Sequence, residues 1–210
     1  LEGDAMRFAG RYDHKDFVFL REPRDAKGVR RGETGYDPTT LRVPASFLSS
    51  ATPSMRQWWD FKRGCFDAVV LFKMGKFYEM FEMDALIGHA DLGLIFMAKS
   101  EKPHCGFPEK NYAKHAETLA RKGHRVMVIE QVETPDQLKA RNSAKPRGQP
   151  KEKVVRREKC ALLSAGTIVD QEMLEATPDA AYLLVLTEGE AAEGSDELLF
   201  GACAVDAASA

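Results

Sequence analysis

The chain has 210 residues, of which 44% are hydrophobic and 30% are charged, a composition typical of a globular protein with one large domain or two small ones. No apolar run approaches the ~18 residues that a membrane-spanning helix needs, and four widely spaced cysteines without a CxxC pair exclude a disulfide scaffold and a zinc knuckle. The net charge of −2 hides an asymmetry, because residues 160–210 contain ten of the 32 acidic residues and no lysine or arginine.

The first 44 residues are rich in arginine, aspartate, glycine and proline and predict an irregular, extended lead-in. Thr52 and Pro53 predict the start of a helix that ends near Gly64, because threonine caps helices and proline suits their first position. Its Trp58 and Trp59 are expected to pack inward. The next pattern predicts strands over 67–73 and 77–81 around a Gly75-Lys76 turn, a helix over 83–91 and a short strand over 94–97.

The second half of the chain adds further elements. They are a helix over 109–122, a central strand over 126–129, a helix from Pro135 to about Ala140, an irregular loop over 142–152, a strand over 154–163, and hairpin strands over 181–187 and 199–205. Together they predict an α/β fold of the α+β type, a mixed β-sheet flanked by helices. The expected organisation is a lead-in at 1–44, a main domain at 45–165, and the truncated beginning of a second, acidic domain at 166–210.

The motifs of common enzymes are missing from this sequence. It has no GxxxxGK[ST] loop to hold a triphosphate, and no GxGxxG, HExxH or GxSxG motif. Neighbouring His104 and Cys105 supply only half of a metal site. The carboxylates show no spacing that would suit a two-metal nuclease. We therefore expect no catalysis, no cofactor and no metal in this chain.

Basic residues are concentrated in one part of the chain. Residues 1–159 contain all 30 basic residues against 22 acidic ones, and nine of the basic residues lie within 139–159. This concentration favours contact with a polyanion, with a solvated basic loop as the alternative.

The segment from Lys73 to Glu79 combines side chains suited to nucleic acid. On a strand, Phe77 and Glu79 project from the same face. The ring could wedge into a base stack from the minor groove, and the carboxyl could address a base edge. Lys73 and Lys76 could contact the flanking phosphates. The alternative is a core Phe77 beside a surface Glu79, which is the commoner role of strand aromatics.

An ordered set of motifs between about Asp37 and Asp170 resembles the mismatch-binding domain of MutS proteins. The set consists of Val43-Pro44-x-x-Phe47-Leu48, Thr52-Pro53-x-Met55-Arg56-x-Trp58-Trp59, Gly75-Lys76-Phe77-Tyr78-Glu79, Met83-Asp84-Ala85-x-x-Gly88, Gly106-Phe107-Pro108, Glu130-Gln131-x-Glu133-Thr134-Pro135, and Val154-Val155-Arg156-Arg157-Glu158 with Gly166-Thr167. Within the family, the chain is most similar to the mispair-contacting subunit of the eukaryotic MutS-alpha heterodimer. Lys76 departs from bacterial MutS, which commonly carries an acid there.

The resemblance implies roles for individual residues. Phe77 would stack on the mispaired base, and Glu79 would hydrogen-bond the same base. Met74 and the residues from Met97 to Lys102, including Lys99, would line the minor groove. Phosphates around a bound Glu79 favour its protonated, donating form, and an ionised acceptor is the alternative.

The resemblance also implies partners beyond this chain. These are mismatched double-stranded DNA, a second MutS-homologue subunit, and a sliding clamp bound through a missing N-terminal region, with a nuclear location and no membrane. ATP and magnesium are expected only in an ATPase domain that this chain lacks. Residues 166–210 resemble the start of a connector domain with an RNase H-like fold. The competing hypothesis is a protein-interaction module whose basic segment 139–159 binds an acidic partner and whose Phe77 lies in the core.

Overall fold

The structure, a computed structural model, describes residues 6–167, 182–189 and 199–206. The chain divides into two compact units, Leu1–Ala165 and Gly166–Ala210. One mixed sheet of the first unit contains the strands β1 (Ala68–Met74), β2 (Phe77–Phe81), β3 (His104–Pro108), β4 (Arg125–Gln131) and β5 (Arg157–Leu163). The strand order is β3-β2-β1-β4-β5, with β1 and β4 parallel and the other pairs antiparallel.

Helices flank this sheet. They are α1 (Val18–Arg21), α2 (Ala45–Ser50), α3 (Pro53–Lys62), α4 (Glu82–Leu92), α5 (Tyr112–Arg121) and α6 (Pro135–Ser143). The Thr52 hydroxyl accepts the N–H of Met55 at 3.5 Å, and Pro53 occupies the first position of α3, as the sequence predicted. The mixed sheet with flanking helices confirms the predicted fold class.

The central strand β1 is buried on both faces of the sheet. On one face, Val70 and Phe72 belong to a core cluster with Trp58 and Trp59, so the inward packing of the two tryptophans is confirmed. The opposite face is covered by α4 and α5. The predicted central Val128 is buried as well, and its strand β4 lies between β1 and β5.

The N-terminal segment differs from the extended lead-in that composition predicted. It contains two 3₁₀ turns, Arg11–Asp13 and Lys15–Phe17, followed by α1. Phe17 and Phe19 are buried in the same core cluster as Trp59. Arginine-rich and glycine-rich composition concealed these aromatic anchors, because their partners Phe47 and Trp59 are brought to them only in the folded chain.

Two local predictions are corrected by the structure. Residues 94–97 form no strand, since only Phe96 of this run is buried and its neighbour Ile95 is exposed. The predicted loop 142–152 begins inside α6, and it is fastened by paired hydrogen bonds of 2.8 Å between Asn142 and the backbone of Glu152.

The second unit contains β6 (Tyr182–Gly189) and β7 (Leu199–Asp206), which pair in antiparallel fashion. The two strands of the predicted hairpin are thus present. Its connecting turn lies outside the described residues, as do most of the acidic residues of this region. The similarity of residues 166–210 to a connector domain stays a prediction.

Candidate nucleic-acid interface

The turn between β1 and β2 presents Phe77 to solvent. Gly75 adopts a left-handed conformation with φ of +60°, which glycine allows at little cost. Met74 and Phe77, which flank the turn, lie opposite each other on β1 and β2. The Phe77 side chain is 45% exposed although its type is usually buried. Exposure of this ring contradicts the alternative in which Phe77 belongs to the core.

Phe77, Glu79 and Phe81 share one face of β2, called here the Phe77 face, because side chains alternate along a strand. Tyr78 points to the opposite face, where its ring stacks on Tyr112 with centroids 5.2 Å apart and its hydroxyl donates to Glu130. Burial and this hydrogen bond raise the pKa of Tyr78 well above its usual range. Tyr78 therefore anchors the strand, and its neighbours on either side remain accessible from the Phe77 face.

Glu79 is held by a histidine from the adjacent strand. His104 Nε2 lies 2.9 Å from Glu79 Oε2, and the two side chains are 16% and 17% exposed. The residue opposite Glu79 on β3 is Gly106, and a Cβ there would lie 2.9 Å from the Tyr78 carbonyl oxygen and 3.4 Å from Glu79 Cγ. Glycine at this position therefore leaves the Glu79 side chain the space to lie across β3.

Residues distant in sequence stabilise the turn itself. The Gly75 N–H donates to Gln131 Oε1 at 2.6 Å. Arg157 donates from Nε to the Lys73 carbonyl oxygen and from Nη1 to Gln57 Oε1, both at 2.7 Å. Its guanidinium also stacks over a core ring, with Cζ 4.5 Å from the centroid of Phe72. Three elements, α3, β4 and β5, thus fix the backbone that carries Phe77.

The environment of Arg157 makes it part of this site electrostatically as well. Burial lowers the pKa of its guanidinium, and the Glu79 carboxylate acts in the opposite direction. Sequence reasoning gave Arg157, Gln131, Gln57 and His104 no place in support of the hairpin or of Glu79. Their contacts join positions 25 to 100 residues apart, and no local pattern signals such contacts.

The two lysines of the hairpin have different surroundings. Lys73 Nζ lies 2.5 Å from Glu109 Oε2 and 4.6 Å from the centroid of the Tyr78 ring. The Lys73 ammonium in turn lowers the pKa of Glu109. Lys76, at the turn, is exposed. The structure therefore places Lys76 beside Phe77, whereas the Lys73 charge is paired with a carboxylate on the Tyr78 side of the sheet.

Met97, Lys99 and Lys102 belong to the loop that precedes β3. Met97 and Lys99 are exposed, and Lys102 is half-buried, which lowers its pKa. The backbone of this loop is fastened to the N-terminal segment, where Arg7 donates to the carbonyl oxygens of Met97 and Ser100. His104 pairs with Phe81, four residues along β2 from Phe77. The loop thus reaches β3 at the other end of that strand, ~13 Å from Phe77 along β2.

The basic segment 139–159 is partly neutralised by local ion pairs. Lys139 pairs with Asp136, Arg141 with Glu133 and Lys145 with Glu152. Further exposed cations of the segment are Arg147, Lys151, Lys153, Arg156 and Lys159. This part of the first unit therefore presents a positive surface despite those pairs.

The described ranges contain no metal-binding constellation. Within them, no group of three or more His, Cys, Asp or Glu side chains could hold a metal ion. His104 pairs with Glu79, and the neighbouring Cys105 is buried. None of the helices in the described ranges is long and apolar enough to cross a membrane.

Comparison with known proteins places these features in a family. Residues 52–172 match the family described as MutS domain I. The chain is 51% identical to the DNA mismatch repair protein MSH6 of Arabidopsis thaliana, over 99% of this chain and 16% of that protein. It is 40% identical to Msh6 of Gallus gallus over 97% of this chain and 15% of the relative, and 40% identical to Msh6 of Homo sapiens over 92% and 14%. The chain thus spans about one sixth of the length of these relatives.

Proposed function

The chain belongs to the MutS family of DNA mismatch repair proteins, and we propose that it binds mispaired duplex DNA and performs no chemistry itself. The observation that carries the proposal is the 45% exposed Phe77 ring at the end of a stabilised hairpin. An exposed aromatic on a fixed backbone can enter a base stack from the minor groove and unstack it. A mispair is easier to unstack and kink than a paired step, so the same ring favours mispaired sites.

Glu79 supplies the second contact in this proposal. It shares the Phe77 face, and one carboxylate oxygen, Oε2, is held by His104. The part of the chain that the structure describes offers Oε1 no hydrogen-bond partner, which leaves this oxygen for a base edge. Met74 lies directly across the turn from Phe77 and would contact the same minor groove.

The positive residues would contact phosphates without reading sequence. Lys76 is the cation next to the wedge, and Lys99 and Lys102 would approach the backbone from the loop before β3. Lys73 would assist only if DNA displaced its ion pair with Glu109. The exposed cations of 139–159 would add longer-range attraction.

Several functions of the whole protein lie outside these residues. We propose that the chain acts beside a second MutS-homologue subunit in the nucleus and that a region not included here binds the sliding clamp. The sequence has no GxxxxGK[ST] loop, so the ATP and magnesium that the resemblance implies would bind elsewhere in the protein. No step of the recognition proposed here requires them.

A competition assay with mispaired and fully paired duplexes tests this proposal in the full-length protein. Phe77→Ala should lower mispair affinity roughly 5- to 150-fold, because stacking of a base on an aromatic ring contributes ~1–3 kcal/mol. Binding to paired DNA should change little. Phe200→Ala is the matched control, since this 67% exposed phenylalanine lies on β7 of the other unit. Equal discrimination by the Phe77→Ala protein and the parent would refute the proposal.

A further inference from the structure

The pair formed by His104 and Glu79 suggests how the carboxyl can approach DNA without repulsion. Building on the proposed function, we propose that His104 is a positioning residue that holds Glu79 on the Phe77 face, and that the two side chains share one proton when mispaired DNA is bound. The 2.9 Å separation of His104 Nε2 and Glu79 Oε2 supports this inference. It is a hydrogen-bond distance, at which a proton can belong to either atom.

Packing leaves the histidine ring little freedom. His104 stacks on Phe81, with ring centroids 4.5 Å apart and planes inclined by 22°. Phe81 belongs to the main core cluster, so the ring rests on a fixed surface. Gly106, opposite Glu79, leaves the space in which the carboxylate reaches His104. The stacking of His104 on Phe81 and the absence of a side chain at Gly106 thus determine where Glu79 Oε2 lies.

Charged groups on the neighbouring elements form their hydrogen bonds and ion pairs with residues other than His104 and Glu79. From β5, Arg157 interacts electrostatically with Glu79 but directs its hydrogen bonds to the Lys73 carbonyl oxygen, Gln57 and the Met74 sulfur. Lys102 precedes His104 by two residues and interacts with Glu82 and Arg11. Arg11 and Glu82 form their own ion pair at 2.7 Å.

The charge of the pair depends on one proton. Without it, a neutral imidazole faces a carboxylate, and the net charge of −1 is repelled by phosphates. With it, the net charge is zero. Transfer within the protonated pair breaks the Nε2–H bond of His104 and forms an O–H bond on Glu79, so the net charge stays at zero. Glu79 is then a neutral acid whose single O–H donates either back to His104 Nε2, now a hydrogen-bond acceptor, or to a base acceptor, but not to both.

Binding of mispaired DNA should therefore take up a proton. Affinity is highest where the pair already carries the proton and falls as the pH rises. Where binding takes up one proton, log K should fall by about one for each pH unit. The measurement is mispair affinity of the full-length protein between about pH 6 and pH 8.

Two substitutions separate proton sharing from simple positioning. His104→Gln keeps an N–H donor that does not titrate, so it should retain most of the mispair preference and lose the pH slope. His104→Phe keeps the aromatic stacking and loses the hydrogen bond, so it should also lose the slope and lower the preference about tenfold, the lower end for a hydrogen bond to a charged group. Glu79→Gln should likewise abolish the slope.

His124→Gln is the matched control, because His124 Nε2 lies 2.7 Å from Asp91 Oδ2 in a similar pair outside the Phe77 face. Its pH slope should equal that of the parent. If both His104 variants keep the parent's slope, or if they lose paired and mispaired binding in parallel, this inference is overturned while the parent's mispair preference still stands. A parent protein without any mispair preference would instead remove the proposed function, and this inference with it.

Discussion

Arg157→Lys tests how strongly contacts from β5 stabilise the β1–β2 hairpin that carries Phe77. The substitution keeps the positive charge but replaces a planar fork by a single ammonium group. The guanidinium donates to the Lys73 carbonyl oxygen and to Gln57 Oε1, both at 2.7 Å. Lysine can replace one of these contacts. A hydrogen bond from a charged donor contributes ~1.5–3 kcal/mol, so opening of the turn should become easier by about 2 kcal/mol.

Amide hydrogen exchange at Gly75 measures this change, because its N–H donates to Gln131 Oε1 in the closed turn. A loss of ~2 kcal/mol corresponds to exchange about 30-fold faster. Mispair preference should fall in the same variant, since a mobile turn no longer directs the Phe77 ring. Binding to paired DNA should change little because the charge is kept.

Arg156→Lys provides the control for Arg157→Lys. Arg156 is the exposed neighbour, and its backbone N–H donates to Glu133, a contact that the substitution leaves in place. If Gly75 exchanges at the same rate in both variants, the hydrogen bonds of Arg157 to Lys73 and Gln57 do not stabilise the turn.

Two further predictions concern charge. DNA affinity should fall steeply with salt, with a slope of log K against log[salt] of roughly −4 to −5 if ~4–6 phosphates are neutralised; a flat titration would favour an uncharged contact or a protein partner. Hydrogen bonding to Arg141 lowers the pKa of Glu133 from 4.5 to about 2, so the pair stabilises the fold above pH 4.5 and this contribution is lost as the pH falls towards 2. Glu133→Gln should remove that part of the acid-unfolding curve, followed by circular dichroism, and an unchanged curve would contradict the assignment.

The local parts of the fold could be predicted because their signals are local. Thr52 and Pro53 marked a helix start, and the apolar run at 126–129 marked a buried strand, since caps and hydrophobic periodicity act over a few residues. The alternation of Phe77 and Glu79 likewise placed both side chains on one face. Whether Phe77 was exposed depended on which elements cover that face, and strand propensity does not contain this information.

The supporting residues of the site could not be predicted for a related reason. His104 reaches Glu79 only because β3 pairs with β2 in a register that sets Gly106 opposite the carboxylate. Arg157 stood in the sequence among other basic residues and was assigned, with them, to a charged surface. In the folded chain its guanidinium contacts the β1–β2 hairpin, because β5 begins at Arg157 opposite Gln131, the last residue of β4.

The aromatic anchors of the N-terminal segment determine where this protein can be shortened. Phe19 lies 4.9 Å from Phe47 and 5.7 Å from Trp59, measured between ring centroids, and Phe17 lies 5.5 Å from Phe47. The family match begins only at residue 52, well after these rings. A polypeptide started at that boundary would lack Phe17, Phe19 and Phe47, three aromatic rings of the cluster around Trp59. The uncovered Trp59 surface would promote self-association during expression, so a soluble recombinant version has to begin before Phe17.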